Sequence, residues 1–170
     1  MAETQDPTIP LFARMKEISR AMLQGVPHAS ALGFTITDIA HAKAWGLAPY
    51  REDLIGDPDT GVIAGGVIIA LLDNLSGVAA MAALDEPTSV ATLDLRIDYM
   101  RPAEPGKEIK AMAHCFRVAR SVAFVRACAY EETEDDPIAQ SSAAFMLGSD
   151  GGRRPSANLK DAKPTKRAPK

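Results

Sequence analysis

Aromatic residues and net charge are both scarce in this chain of 170 residues. Aromatic side chains make up 5% of the sequence, and Trp45 is its single tryptophan. Proteins that stack the bases of single-stranded nucleic acid need aromatic platforms, so the composition argues against that class. The net charge of -3 and the pI of about 5.6 argue equally against a general binder of polyanions.

Cysteine and histidine are also few. Cys115 and Cys128 are the only cysteines and do not form a CxxC pair, so nothing supports a zinc site or a redox pair. The three histidines, His28, His41 and His114, lack the spacing of metal ligands. We therefore expect no metal. The N-terminal stretch MAETQDPTIP lacks the basic and apolar regions of a secretory signal, so we expect a cytoplasmic protein.

Aliphatic residues supply what the aromatics do not. Hydrophobic residues reach 46%, enough for one folded domain built on Ala, Val, Ile, Leu and Met. The charge is uneven, because residues 149–170 carry +5 and residues 1–148 carry -8. The C-terminal stretch has no hydrophobic period and is rich in Pro, Lys, Ser and Gly, which predicts a disordered basic tail. A solvated terminus and a weak contact with an anionic surface both fit it.

The periodicity of the apolar residues predicts the order of the elements. Residues 1–30 form a helical extension whose apolar face holds Leu11, Met15, Ile18 and Met22, and Gly25-Val26-Pro27 ends it. Residues 34–39 and 44–50 read as two paired strands, and residues 51–61 as a loop. An apolar helix over residues 62–84 follows. Four strands over 90–100, 107–119, 121–131 and 138–147 complete an α+β fold, an antiparallel sheet packed on one long helix.

The apolar segment 62–84 is long enough to cross a bilayer, which takes about 20 residues. Asp73 near its middle opposes that interpretation, since an ionised Asp at the bilayer centre costs about 3 kcal/mol. No basic residues flank the segment as anchors. A helix that is apolar on nearly every face must then be enclosed by the protein, which a curved sheet achieves.

Asp73 and the Gly65-Gly66 pair are the candidate functional residues of this helix. The carboxylate is either bonded to nearby backbone or to Asn74, or it is functional. The glycines either allow close helix–sheet packing or open the first-turn N–H groups to an anion or oxyanion. Because Gly65 and Asp73 lie about 12 Å apart along one helix, a single substrate needs Asp73 from a second copy. If both act, the site is shared across a homodimer.

The motif that contains these residues resembles that of the hotdog-fold acyl-CoA thioesterases, in particular the phenylacetic-acid-degradation (PaaI-like) group. Gly61, Gly65, Gly66 and Asp73 fit the spacing of that family. The run from Thr92 to Ala103 resembles the family's strand that ends in Tyr-x-x-Pro-Ala. The resemblance covers about residues 32–147. It implies that residues 31–148 form a hotdog domain, a sheet wrapped around one long central helix.

The resemblance also implies roles. The N–H of Gly65 polarises the thioester carbonyl, Asp73 of the other subunit acts as general base or nucleophile, and Thr92 helps to hold the attacking water. No cofactor is needed, since coenzyme A is part of the substrate. Homodimers that pair into homotetramers are implied as partners, without nucleic acid and without a membrane span. The remaining substrate-binding residues are Ala64 and Gly66 beside the carbonyl, with Arg101, Arg117 and Arg120 as candidates for the CoA phosphates.

Two positions depart from the family pattern. Relatives carry His where this chain has Ala64, and they often carry Asn where Pro58 stands between Asp57 and Asp59. A carboxylate there would oppose an oxyanion. The departures support an alternative, a non-catalytic hotdog protein that binds acyl-CoA. An acyl-CoA hydratase or dehydratase is a third candidate, although such enzymes commonly use a His and all three histidines lie outside the motif.

Overall fold

The computed structural model describes residues 9–17 and 25–148. Ile18, Met22 and the predicted basic tail at 149–170 lie outside these ranges. The described residues form two short helices, α1 (Leu11–Glu17) and α2 (Pro27–Leu32), and one long helix, α3 (Gly65–Ala82). A 3-10 turn spans Glu52–Leu54. The helix α2 occupies the place where the sequence predicted only a helix end, because Pro27 is compatible with the first helical turn and Gly33 ends it at φ 74°.

Within residues 9–17 and 25–148, eight strands accompany the helices. Six of them form one antiparallel sheet in the order β1-β2-β6-β7-β8-β5, and β3 and β4 form a small separate hairpin. The antiparallel α+β architecture predicted from the sequence is confirmed. The strands are β1 (Thr35–Ala40), β2 (Lys43–Ala48), β3 (Ile55–Asp57), β4 (Val62–Ile63), β5 (Val90–Tyr99), β6 (Ile109–Val118), β7 (Val122–Tyr130) and β8 (Ala139–Leu147).

Small side chains on the inner face of the sheet bring α3 close to it. In β7 every second residue is buried, and three of these four inner positions are alanine. At Gly46 in β2 an added Cβ would lie 3.0 Å from a Leu75 methyl carbon and 2.6 Å from the Thr35 carbonyl oxygen. The bulk of the core comes from the helix, where Leu71, Leu72 and Leu75 are at most 1% exposed. A core of this kind explains how the fold manages with few aromatics.

The helix α3 is long and apolar enough to cross a membrane by length and composition, but 61% of it is buried inside this fold. It begins three residues later than the sequence predicted, because Val62 and Ile63 pair with β3. One stripe remains open: Gly65, Gly66 and Ile69 are exposed and Asp73 is half-buried. The sheet therefore encloses most of the helix, as predicted, and the described residues leave this stripe partly open.

The open stripe of α3 faces the edge of the sheet. Strand β5 is one of the two edge strands of the sheet, opposite β1, and it pairs only with β8. It is the most exposed long strand, with Leu93 at 52% and Tyr99 at 50% relative exposure. A long edge that carries exposed apolar side chains is a template for pairing with another chain.

Candidate active site

Asp73 contacts the edge strand. The hydroxyl of Thr92 on β5 donates a hydrogen bond to Oδ1 of Asp73 over 2.9 Å. The Asn74 side chain instead donates to the Ala70 carbonyl oxygen at 2.8 Å, so it does not satisfy the Asp73 carboxylate. The register of β5 shifts between Thr92 and Asp94, and this bulge lies directly beside the contact. The structure thus brings together two candidate site residues that lie 19 positions apart in the sequence.

The first turn of α3 presents free donors. Ala64 precedes the helix, and its N–H donates to the Leu54 carbonyl at 2.9 Å, while the Val67 N–H returns to the Ala64 carbonyl at 2.9 Å. Within residues 9–17 and 25–148, the N–H groups of Gly65 and Gly66 have no hydrogen-bond acceptor. Both residues are exposed. Two unbonded amides at the positive end of an 18-residue helix form an environment that favours negative charge.

Tyr99 contacts this turn from the strand side. Its hydroxyl donates to the Gly65 carbonyl oxygen at 2.8 Å. A Cβ added at Gly65 would lie 3.0 Å from that hydroxyl oxygen, so the contact leaves little room for a side chain. Tyr99 is the tyrosine of the Tyr-x-x-Pro-Ala motif, for which the sequence predicted no role of its own. No periodicity signals such a contact, because it depends on how β5 crosses the start of α3.

A second tyrosine holds the turn that precedes the helix. The Tyr50 hydroxyl donates to the Gly61 carbonyl oxygen at 2.8 Å. Gly61 has a φ of 74°, in the left-handed region that glycine adopts most readily. Two tyrosine hydroxyls therefore bond to carbonyl groups before and after Ala64.

These contacts lie at two ends of one open surface, which we call the α3–β5 surface (Gly65, Ile69 and Asp73 on the helix; Thr92, Leu95, Ile97 and Tyr99 on the strand). Gly65 and Asp73 are about 12 Å apart along the helix. Thr92 and Tyr99 are about 23 Å apart along the strand. The described residues of one chain thus place the carboxylate and the free amides at separate ends of this surface.

Arg101 is engaged in an ion-pair network. Its Nη2 lies 2.5 Å from Oε2 of Glu131, whose side chain is only 2% exposed, and 3.2 Å from Oδ2 of Asp136. The other Glu131 oxygen accepts the Glu104 N–H at 2.8 Å. The hydrogen bond that Arg101 donates to Glu131 raises the pKa of the Arg101 guanidinium. The arginine thereby fastens the β5–β6 turn to the β7–β8 connection, and we do not place it on the CoA phosphates.

Arg117 and Arg120 are exposed at the β6–β7 end of the sheet. Ser121 there accepts a hydrogen bond from Leu147 at the end of β8, whereas Arg101 bonds to Ile138 just before β8 begins. The length of β8 separates the two sites by about 26 Å. One chain therefore does not gather the three arginines into one phosphate site.

The carboxylate next to Pro58 is engaged within its own turn. Oδ1 of Asp57 accepts the Asp59 N–H at 3.1 Å, and Oδ2 accepts the Thr60 hydroxyl at 2.8 Å. These donors, with Thr60 the larger influence, lower the pKa of Asp57. Its charge stabilises the loop before β4. In the part of the chain that the structure describes, no three His, Cys, Asp or Glu side chains are grouped to hold a metal ion.

Comparison with known proteins assigns the class. The family model described as "Thioesterase superfamily" matches residues 60–138, which include α3 and strands β5 to β7. A crystal structure of a protein from Pseudomonas aeruginosa has 38% identity and a TM-score of 0.71, over 78% of this chain and 98% of that one. The PaaI protein of the Escherichia coli phenylacetic acid degradation operon has the same fold, at 16% identity and a TM-score of 0.71, over 82% of this chain and 96% of that one.

Curated relatives agree with this class. A Halobacterium salinarum protein that bears the name of an esterase is 34% identical over 96 residues, 55% of this chain and 62% of that protein. Acyl-coenzyme A thioesterase 13 of Homo sapiens is 25% identical over 134 residues, 79% of this chain and 94% of that protein. The fold and the matched motif are those of hotdog thioester hydrolases. Over residues 60–138 this chain matches the thioesterase superfamily, and the predicted resemblance to the PaaI-like thioesterases is confirmed.

Proposed function

We propose that the protein hydrolyses acyl-CoA thioesters at a site shared by two copies of the chain. The N–H of Gly65 polarises the thioester carbonyl, and Asp73 of the second copy activates water. The observation that carries the proposal is the pairing of Asp73 with Thr92 on the same open surface that exposes the unbonded Gly65 N–H. No described residue of the same chain covers that surface, which leaves room for a substrate and a second copy.

The chemistry balances with these groups alone. Water attacks the thioester carbon while Asp73 accepts its proton, and the developing oxyanion lies at the Gly65 N–H. Collapse of the tetrahedral intermediate breaks the C–S bond. The CoA thiolate then leaves and takes up a proton from Asp73 or from solvent. General-base assistance typically contributes about 10²- to 10⁴-fold, and one oxyanion donor about 10²- to 10³-fold. Direct attack by the Asp73 carboxylate is the other possible route.

The same geometry supports a homodimer as part of the proposal. The carboxylate and amides of one chain are about 12 Å apart, too far to act on one carbonyl. Leu93 and Tyr99 are exposed on β5, so two copies that paired along their β5 edges would bury apolar surface. A two-fold axis between these edges would place the Asp73 end of one α3–β5 surface beside the Gly65 end of the other. We extend the proposal to a dimer of dimers in the cytoplasm, with Arg117 and Arg120 toward the CoA phosphates.

The test is release of free thiol from a panel of acyl-CoA thioesters, with aromatic and aliphatic acyl groups compared by kcat/KM. Asp73→Asn should lower kcat by at least 10²-fold. Asp94→Asn is the matched control, because Asp94 is an exposed carboxylate on the same strand as Thr92. Hydrolysis that survives Asp73→Asn at the wild-type rate would contradict the proposal.

The second candidate is a protein that binds acyl-CoA without hydrolysing it. The observation in its favour is Ala64, which puts a methyl group where relatives have an imidazole. Calorimetric titration with acyl-CoA separates the two functions, since equal binding by wild type and Asp73→Asn without any thiol release favours the binding protein. The hydratase alternative loses support, because His41 packs against Phe12 and His114 lies on β6, away from the α3–β5 surface.

A further inference from the structure

We propose that Tyr99 is a positioning residue that fixes and polarises the Gly65–Gly66 peptide group, making the N–H of Gly66 a second oxyanion donor beside that of Gly65. The proposal rests on the proposed thioester hydrolysis. Its basis is the 2.8 Å hydrogen bond from the Tyr99 hydroxyl to the Gly65 carbonyl oxygen.

The peptide group explains which amide is affected. The carbonyl of Gly65 and the N–H of Gly66 belong to one amide plane, whereas the N–H of Gly65 belongs to the preceding plane. A donor on the carbonyl oxygen withdraws electron density through the amide and strengthens the N–H on the other side. Because the Gly66 N–H has no acceptor in the described chain, this added polarity is directed at whatever occupies the open surface.

Steric evidence supports the same pairing. An added Cβ at Gly65 would meet the Tyr99 hydroxyl oxygen at 3.0 Å, but at Gly66 it would meet nothing within 4 Å. Gly65 is thus required where the hydroxyl approaches, and Gly66 leaves its own N–H accessible. Burial raises the pKa of Tyr99, so the hydroxyl keeps its proton and remains a donor at neutral pH.

The kinetic experiment compares Tyr99→Phe with Thr88→Val, which loses a hydroxyl-to-glycine-carbonyl bond of 2.7 Å, to Gly148, away from the α3–β5 surface. We expect Tyr99→Phe to lower kcat about 3- to 10-fold with KM changed less than about 2-fold. Thr88→Val should retain the wild-type kcat. An unchanged kcat in Tyr99→Phe, or a raised KM at constant kcat, overturns the proposal.

A double-mutant cycle checks the steric pairing. Gly65→Ala should displace the Tyr99 hydroxyl, so adding Tyr99→Phe to Gly65→Ala should cost less than about 2-fold further in kcat. Fully additive losses would show that the two residues act independently and would overturn the proposal.

A spectroscopic measurement separates this proposal from the proposed function. The protein is labelled at its glycines, with ¹³C at the carbonyl and ¹⁵N at the amide, and studied by NMR. A carbonyl–amide correlation then arises only where one glycine follows another. The sequence has two such glycines, Gly66 and Gly152. Tyr99→Phe should move the peak of the Gly65–Gly66 peptide and leave that of Gly152 in place. An unmoved peak refutes the hydrogen bond, whereas a moved peak in a protein that hydrolyses no thioester refutes only the proposed function.

Discussion

The hydroxyl of Thr92 and the carboxylate of Asp73 join the edge strand to the central helix over 2.9 Å. The bond gives Asp73 a fixed orientation toward the open side of α3. The other sides of the helix are buried and consist mainly of aliphatic residues such as leucine and alanine. A carboxylate that activates water needs such a partner, because a freely rotating side chain loses the geometry of attack. The pair therefore defines the first prediction.

Thr92→Val should lower kcat about 10-fold, because it removes a hydrogen bond to a charged group while it preserves the shape of the side chain. Thr92→Ser keeps the hydroxyl and should retain most of the activity. Thr88→Val is the control, since the Thr88 hydroxyl bonds to the Gly148 carbonyl away from Asp73. The measurement is steady-state thiol release. A Thr92→Val enzyme with the wild-type kcat would remove Thr92 from the mechanism.

The sequence predicted what local patterns encode. The four strands after residue 90 were placed within two residues of their observed ends, because alternation and the turn residues between them agree. The start of α3 was predicted three residues too early, because Val62 and Ile63 continue the apolar run although they pair with β3. Asp73 could be singled out from the sequence because a carboxylate inside an apolar helix needs either a bonding partner or a function.

The parts that the sequence did not reveal are contacts between distant positions. Tyr99 and Gly65 are 34 residues apart, and Arg101 and Glu131 are 30 apart. Neither pair has a periodic signature, since each depends on how a strand end crosses another element. An arginine in a polar turn looks the same in sequence whether it binds a phosphate or a buried glutamate.

The Arg101–Glu131 pair yields a prediction about stability. Arg101→Met should lower the free energy of unfolding by about 2–3 kcal/mol, because it leaves the buried Glu131 carboxylate without its cation. Arg120→Met makes the same charge change at an exposed position and should alter stability by less than about 0.5 kcal/mol. Urea denaturation measures both. A raised KM for acyl-CoA with unchanged stability in Arg101→Met would restore Arg101 as a phosphate ligand.

Cys128 should be unreactive in the folded protein. Burial, and secondarily the charge of Glu134, raises the pKa of its thiol to about 11. At pH 8 about 0.1% of such a thiol is the nucleophilic thiolate, against about a quarter for an unperturbed cysteine. Burial raises the pKa of Cys115 as well. Ellman's reagent should therefore label neither thiol in native protein and both after denaturation, and rapid native labelling would contradict this.

The turn around Asp57 should make stability depend on acidity in a defined direction. The Thr60 hydroxyl and the Asp59 N–H lower the pKa of Asp57 below its ordinary value of 3.8. The folded state therefore binds the proton less readily than the unfolded chain, so the stabilisation is complete above the unfolded-state pKa. It is lost as the pH falls through the lower folded-state value. Asp57→Ala should accordingly have a lower Tm than wild type at pH 6, and the gap should narrow between about pH 4 and pH 2. A gap that widened in acid would mean that the Asp57 charge opposes the fold.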